Sequence, residues 1–391
     1  MRAKILETFK TQKGIIFAES ALVFRETYTG RDIIAKNSRF EEGYADVRGY
    51  VPVEWWVMSV TSAKNELVKD GEGLTKLKLI DKSLVTLKDA LKVAEQELMG
   101  SSAKRWPLTK LLDIGGEPKQ TSFLKKEVPP IPPHLHAGEI VDGKVVPPGK
   151  REAYFFPPLD IEPYNKKMEK VITRLGIKTN ISAEEFKGKL KNFGKDDSMY
   201  EIFQEHVVAP YEGWTIFEGI LHAPGPWLTF EIQFPQDDFN LAAWRLGERI
   251  HDENERKEKY SSLVLKGLKG EEDFSDSLVD WSKTQIEDFK EKFHRPIKML
   301  ESGSWGRRYR IFFDSFYGEG WEIKSGNSLQ LNKKDNPIAA IVWSGAGEVN
   351  SQLISAENGE KEFLIVPNTQ IIIKNSGKKT LMIFTVEPLV E

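Results

Sequence analysis

The 391-residue sequence contains no cysteine, which excludes disulfides, thiolate metal ligands and a cysteine nucleophile and leaves only nitrogen and oxygen donors for any metal. Histidine is scarce, with six in the whole chain. No stretch reaches the roughly 18 apolar residues of a membrane span, and the opening MRAKILETFKTQKG lacks the apolar segment of a secretory signal. A cytoplasmic location without a membrane partner is the resulting expectation. An excess of one charge is missing too: 56 basic and 59 acidic side chains leave a net charge of −3, which gives no electrostatic footprint for nucleic acid. The rest of the composition, 40% hydrophobic and 29% charged, is that of a globular protein large enough for several layers of structure.

Periodicity divides the chain into helical and strand-like parts. Leu84, Leu87, Leu91, Ala94 and Leu98 recur at intervals of three and four and predict one amphipathic helix. Within a block after Pro163 that reads as helical, Ser182 and Glu185 have the spacing of a capping box and predict a short helix through Phe186 and Leu190. Leu278, Trp281, Phe289 and Phe293 predict a third helix over 278–293. Strand texture occupies 154–156 and 214–234, then returns from Tyr309 onward in three runs: AAIVWSGAGEVN, EFLIVPNTQIIIKNSG and TLMIFTVEP. These are broken by Gly, Asn and Pro in the manner of a small sandwich or barrel. The polar stretch 248–276 reads as a connection.

Pro129, Pro130, Pro132 and Pro133 stiffen the approach to an H-L-H triplet at His134 and His136. In an extended segment residues two apart share a face, so both imidazoles converge on one point. Glu152 follows in the strand-like KREAYFF, and His222 ends another strand-like run in GILHAPGP. Three nitrogens and a carboxylate oxygen from separate strands suit one divalent ion: zinc first, with manganese, iron, cobalt or nickel as alternatives. Each residue alone also has a plain reading. H-x-H describes two turn histidines, His222 a structural histidine, and Glu152 an ordinary strand carboxylate.

The order and context of these residues resemble the type I mannose-6-phosphate isomerases of the cupin superfamily. LTKLLD at 108–113 is similar to the strand before the first ligands, and PHLH at 133–136 stands where Q-x-H is expected. GKREAYFF at 149–156 is similar to the second motif, and GILHAPGPWLTFEIQ at 219–233 to the third. His222 and Glu231 are nine apart, as in that family, and Asp237 follows six further on. The resemblance implies a mainly β fold with helical insertions and two cupin jelly-roll barrels. The first barrel, over 1–162 with 211–247, would bind one metal through His134, His136, Glu152 and His222. A helical insertion is implied over 163–210, a connecting helical segment over 248–304 and a metal-free second barrel, without histidine, over 305–391.

What the resemblance implies about activity is aldose–ketose isomerisation of a sugar or sugar phosphate, with Lys150 and Glu231 as catalytic residues and Asp237 and Arg245 in contact with substrate. Three departures stand against that pattern. His134 replaces the family's glutamine ligand, Pro132 replaces a serine at the phosphate end, and Leu241 stands where an arginine is expected ten residues after Glu231. Arg245, Arg249 or an unaligned lysine is then expected to replace the lost cation, or else the substrate carries no phosphate. The competing readings are a metal-dependent oxygenase of the same fold and a sugar-binding protein without turnover. Plain readings also exist for Lys150 as a solvated lysine, Glu231 as an internal ion pair, and Asp237 with Asp238 as a turn and cap.

Overall fold

The computed structural model describes residues 1–28, 30, 52–65, 71–115, 129–158, 171–357 and 359–390. The chain is mainly β with helical insertions, and four sheets stack face to face. The outermost has five strands, ordered Phe203–Val207, Ile172–Ile177, His222–Ala223, His134–Leu135 and Asn240–Leu241. Behind it lies a six-stranded sheet ordered Glu212–Ile216, Glu152–Phe156, Leu228–Gln233, Leu108–Asp113, Pro52–Val57 and Ala21–Phe24. A nine-stranded sheet and a four-stranded sheet complete the stack. Among the described residues none of these sheets closes on itself, so the two expected barrels take the form of facing sheets.

Alternation along each strand assigns one side chain in two to each interlayer space. In Leu228–Gln233, Phe230 and Ile232 point to the nine-stranded sheet. Phe230 meets Phe312 and Phe384 at ring-centroid distances of 5.5 and 5.8 Å, and Phe155 meets Phe384 at 5.2 Å. The opposite face carries Glu231 and Gln233, both buried. Both faces of these central strands are therefore buried, one apolar and one polar. Between the nine- and four-stranded sheets lies an apolar core, with Trp321, Ile338, Phe363, Ile371 and Ile383 among its members.

Helices cover the outer face of the five-stranded sheet. Leu135, Ile177, Leu221 and Leu241 pack there on Phe186, Leu190, Phe274 and Leu278. The helix Ala183–Leu190 begins as the capping pattern predicts, since the Ser182 hydroxyl accepts from the Glu185 N–H at 3.1 Å. The helix Leu87–Met99 is also present, but it is kinked at Ala94, whose φ of −142° is non-helical, and it starts at an N-cap Thr86, whose side chain accepts from the Asp89 N–H. Leu84 consequently falls in the preceding strand Leu84–Thr86 and is exposed.

Other sequence expectations are corrected. Residues 278–293 are not one helix: Val279 is extended, Asp280 caps a new turn by accepting from the Lys283 N–H, and the short helices Trp281–Thr284 and Phe289–Phe293 follow. Asp at an N-cap offers the backbone a local alternative to continuing the helix. The expected helical insertion contains two strands, Ile172–Ile177 and Phe203–Val207, around the helix Ala183–Leu190 and the 3₁₀ turn Ser198–Ile202; residues 159–170 lie outside the described set. The segment expected to be helical or connecting over 248–304 ends in the strand Lys298–Gly303, hairpinned to Gly306–Phe312.

The first hundred residues serve both halves. Ile15–Glu19 pairs with Glu362–Ile365 in the nine-stranded sheet, while Ala21–Phe24 pairs with Pro52–Val57 in the six-stranded one.

Candidate metal centre

The polar space between the five- and six-stranded sheets holds the site. His134 and His222 are register partners on adjacent strands, and Leu241 pairs with His134 on its other side. Because Leu135 turns outward into the helical layer, His134 and His136 both face inward, as the H-L-H spacing predicts. Glu152 reaches them from the facing sheet. Gly149 permits this approach: a Cβ there would lie 2.2 Å from the His136 carbonyl oxygen.

His134, His136, Glu152 and His222 are all buried, and their candidate ligand atoms lie within 4.8 Å of one another. Each imidazole is fixed by its Nδ1, which lies 2.7 Å from the Pro132 carbonyl for His134, 2.9 Å from that of Asp238 for His136 and 2.8 Å from that of Ile220 for His222. A carbonyl only accepts, so Nδ1 carries the proton and Nε2 presents a lone pair. The Nε2 atoms of His136 and His222 each sit 3.1 Å from an oxygen of Glu152, yet neither has a hydrogen-bond partner. Three imidazole Nε2 atoms and a carboxylate facing one point suit a cation between them. This donor set fits a divalent metal. Burial pulls the His134 pKa well below the usual imidazole range, and burial together with the Lys150 charge brings that of His136 down to about 3. Burial alone would raise the Glu152 carboxyl, but His136 and Lys150 outweigh it and hold it well below the carboxylate range.

Lys150 and Glu231 flank this cluster. Lys150 Nζ lies 3.2 Å from Glu152 Oε2 and donates to Gln233 Oε1 at 3.0 Å. Burial favours its neutral form, but Glu152 and Glu231 prevail and its pKa stays above the ordinary value. Glu231 stands between Tyr154 and Lys110 in one cross-strand row. Its Oε1 is buried without a hydrogen-bond partner, and Lys110 Nζ is 3.9 Å away. Burial, then the Glu152 charge, pushes the Glu231 carboxyl up to about 8.

Several buried polar residues here were not singled out in the sequence. Arg25 donates to Glu54 at 2.7 and 3.1 Å and to Asp237 at 2.7 and 3.1 Å. Lys110 lies 3.7 Å from Glu54 and 3.8 Å from Asp237, and Tyr154 donates to Glu152. A legible signal existed for one of them: Glu54 is the single charge within the otherwise apolar strand PVEWWV. Asp237 does line the cavity, but Arg25 and the Lys64 N–H occupy both its oxygens. Arg245 is not among the residues lining the cavity. Its guanidinium pairs with Glu248 at 3.1 Å, and Arg249 is held by Asp197 at 2.8 and 2.9 Å.

The Arg25 clamp is expected to be structural. Arg25→Met should destabilise the fold by about 3–5 kcal/mol, the usual cost of leaving buried carboxylates without their partner. Denaturant unfolding at neutral pH measures it, and a change below about 1 kcal/mol would mean that Lys110 takes over the pairing.

A chamber of about 50 Å³ lies against the cluster, bordered by Lys110, Lys150, Tyr154 and Glu231. It adjoins an outer chamber of about 290 Å³, with Arg25, Thr27, Asp237, Asp238 and Phe239 lining both. No helix among the described residues is long and apolar enough to cross a membrane.

No protein family model matches this sequence, and no curated protein matches it. The fold, however, matches solved structures of mannosephosphate isomerases. A protein of Archaeoglobus fulgidus assigned as a mannosephosphate isomerase superposes with a TM-score of 0.60 at 14% identity, covering 96% of this chain and 98% of that one. The mannose 6-phosphate isomerase of Bacillus subtilis gives 0.60 at 18% identity, over 95% and 99% of the two chains. A point mutant of phosphomannose isomerase from Salmonella typhimurium gives 0.54 at 9% identity, over 96% and 100%.

Proposed function

We propose that this chain is a metal-dependent isomerase that interconverts an aldose and a ketose, with zinc held by His134, His136, Glu152 and His222. The observation that carries the reading is the juxtaposition, in a fold shared with mannosephosphate isomerases, of this donor cluster with a charged lysine and a buried carboxyl group whose Oε1 makes no hydrogen bond, on the same cavity wall.

Isomerisation moves a proton between neighbouring carbons while negative charge develops on oxygen. A bound divalent cation supplies Lewis-acid polarisation of the sugar oxygens. Glu231, with one oxygen free and its pKa near neutrality, takes the proton from one carbon and returns it to the other. Lys150 is held in place by Glu152 and Gln233, and its ammonium stabilises the oxygen on which charge accumulates.

The test is interconversion of aldoses and ketoses by zinc-loaded protein, followed in D₂O so that exchange at the transferred position is counted with product. Turnover that disappears with a chelator and returns with zinc is the expected result. A zinc-replete protein that exchanges no carbon-bound hydrogen in any aldose or ketose would overturn the proposal.

A further inference from the structure

Resting on the isomerase reading, we infer that the sugar taken by this site is neutral, an aldose or ketose without a phosphate, held through its hydroxyl groups. The first support is the state of the acceptors. Glu231 Oε1 and Asp238 Oδ2 are buried carboxyl oxygens on the cavity wall with no hydrogen-bond partner among the described residues, and Glu231 is only 4% exposed. Buried acceptors require donors. A sugar hydroxyl donates a hydrogen bond, whereas a phosphate dianion brings more acceptor oxygens and more negative charge.

The second support is where the far end of a substrate must lie. The inner chamber, about 50 Å³, has room for a few waters and so for the reacting end of a sugar alone. The remainder extends past Thr27 and Phe239 into the outer chamber, where a terminal phosphate would sit. The described cations there are already engaged. Arg25 is shared between Glu54 and Asp237, Lys266 Nζ donates to the Phe239 carbonyl at 2.5 Å, and Lys64 Nζ pairs with Glu139 at 2.9 Å. Glu139, Asp237 and Asp238 line the same chamber. A phosphate dianion needs cationic donors that turn toward it. Here it would have to take Arg25 and Lys64 from carboxylates and Lys266 from a carbonyl, while lying beside Glu139, Asp237 and Asp238.

The experiment compares binding and turnover separately on the zinc-loaded protein. Calorimetry is run with mannose, fructose and mannitol against mannose 6-phosphate and inorganic phosphate, and the same sugars are assayed for interconversion. Neutral sugars are expected to bind about 100-fold more tightly than the phosphorylated one, a difference well within what mismatched charge produces. Asp238→Asn is expected to weaken neutral-sugar binding about tenfold through loss of an anionic acceptor. Neutral sugars that bind preferentially but are not interconverted would refute the isomerase and leave this inference standing. Preference for mannose 6-phosphate, above all one abolished by Lys64→Ala or Lys266→Ala, would overturn it, and so would failure of any of the sugars to bind.

Discussion

Replacing His222 with alanine is expected to lower metal affinity by more than about 100-fold, a bound set by the 10–100-fold cost of losing even an outer partner of a metal ligand. His222 is completely buried, its Nδ1 is fixed by the Ile220 carbonyl, and its Nε2 has no protein hydrogen-bond partner. No other described imidazole besides His134 and His136 belongs to the cluster. Elemental analysis after dialysis gives the answer, and full occupancy in the variant would remove His222 from the ligand set. Acid should act in the same direction, because ligand nitrogens bind metal only when unprotonated. Below the ordinary imidazole pKa of about 6.5, an unfolded chain takes up protons that buried His134 and His136 refuse. Fold stability therefore declines as pH drops through that window, and metal is released with it.

Lys150→Met is expected to cut kcat by about 10²–10⁴-fold, the range for loss of a group acting on the transition state, while the metal remains bound. The distinction rests on geometry: Lys150 touches Glu152 and Gln233 but offers no lone pair to the cluster while charged. Glu231→Gln should behave alike, since it keeps shape and hydrogen bonding but cannot carry a proton back and forth. Metal content and kcat measured on the same preparations test this. Unchanged kcat in Lys150→Met would reduce that residue to an internal counter-ion of Glu152, and an effect confined to KM would make Glu231 a binding group.

The parts legible in the sequence were those whose information is local. H-L-H spacing placed two imidazoles on one face, and Ser182 with Glu185 announced a helix start, because side-chain period and capping are properties of a few consecutive residues. Leu84 misled because it continues a helical interval across Thr86, where the cap ends it. The 278–293 period failed because the chain turns at Val279 and Asp280, so that Leu278 and Trp281 join the core under the outer helices while Phe289 and Phe293, on a separate short helix, join the core between the six- and nine-stranded sheets. The Arg25–Glu54–Asp237 clamp was invisible for a different reason. Its members are separated by 29 and 212 positions, and only the sheet order brings them together. Arg245, attractive by proximity in sequence to Leu241, is paired with Glu248.

The strand Ile15–Glu19 has a consequence for how the chain reaches this structure. Its partner Glu362–Ile365 lies roughly 350 positions later, and at about 5–20 residues per second of synthesis the first strand waits roughly 20–70 s before that partner exists. Until then its apolar residues Ile15, Ile16 and Phe17 lack the neighbour that buries them. Pairing so distant in sequence closes a long loop and belongs to the slow, high-contact-order class of folding events. The nascent chain is thus exposed to aggregation for most of its synthesis, and closure of the nine-stranded sheet is expected to be a late step of folding.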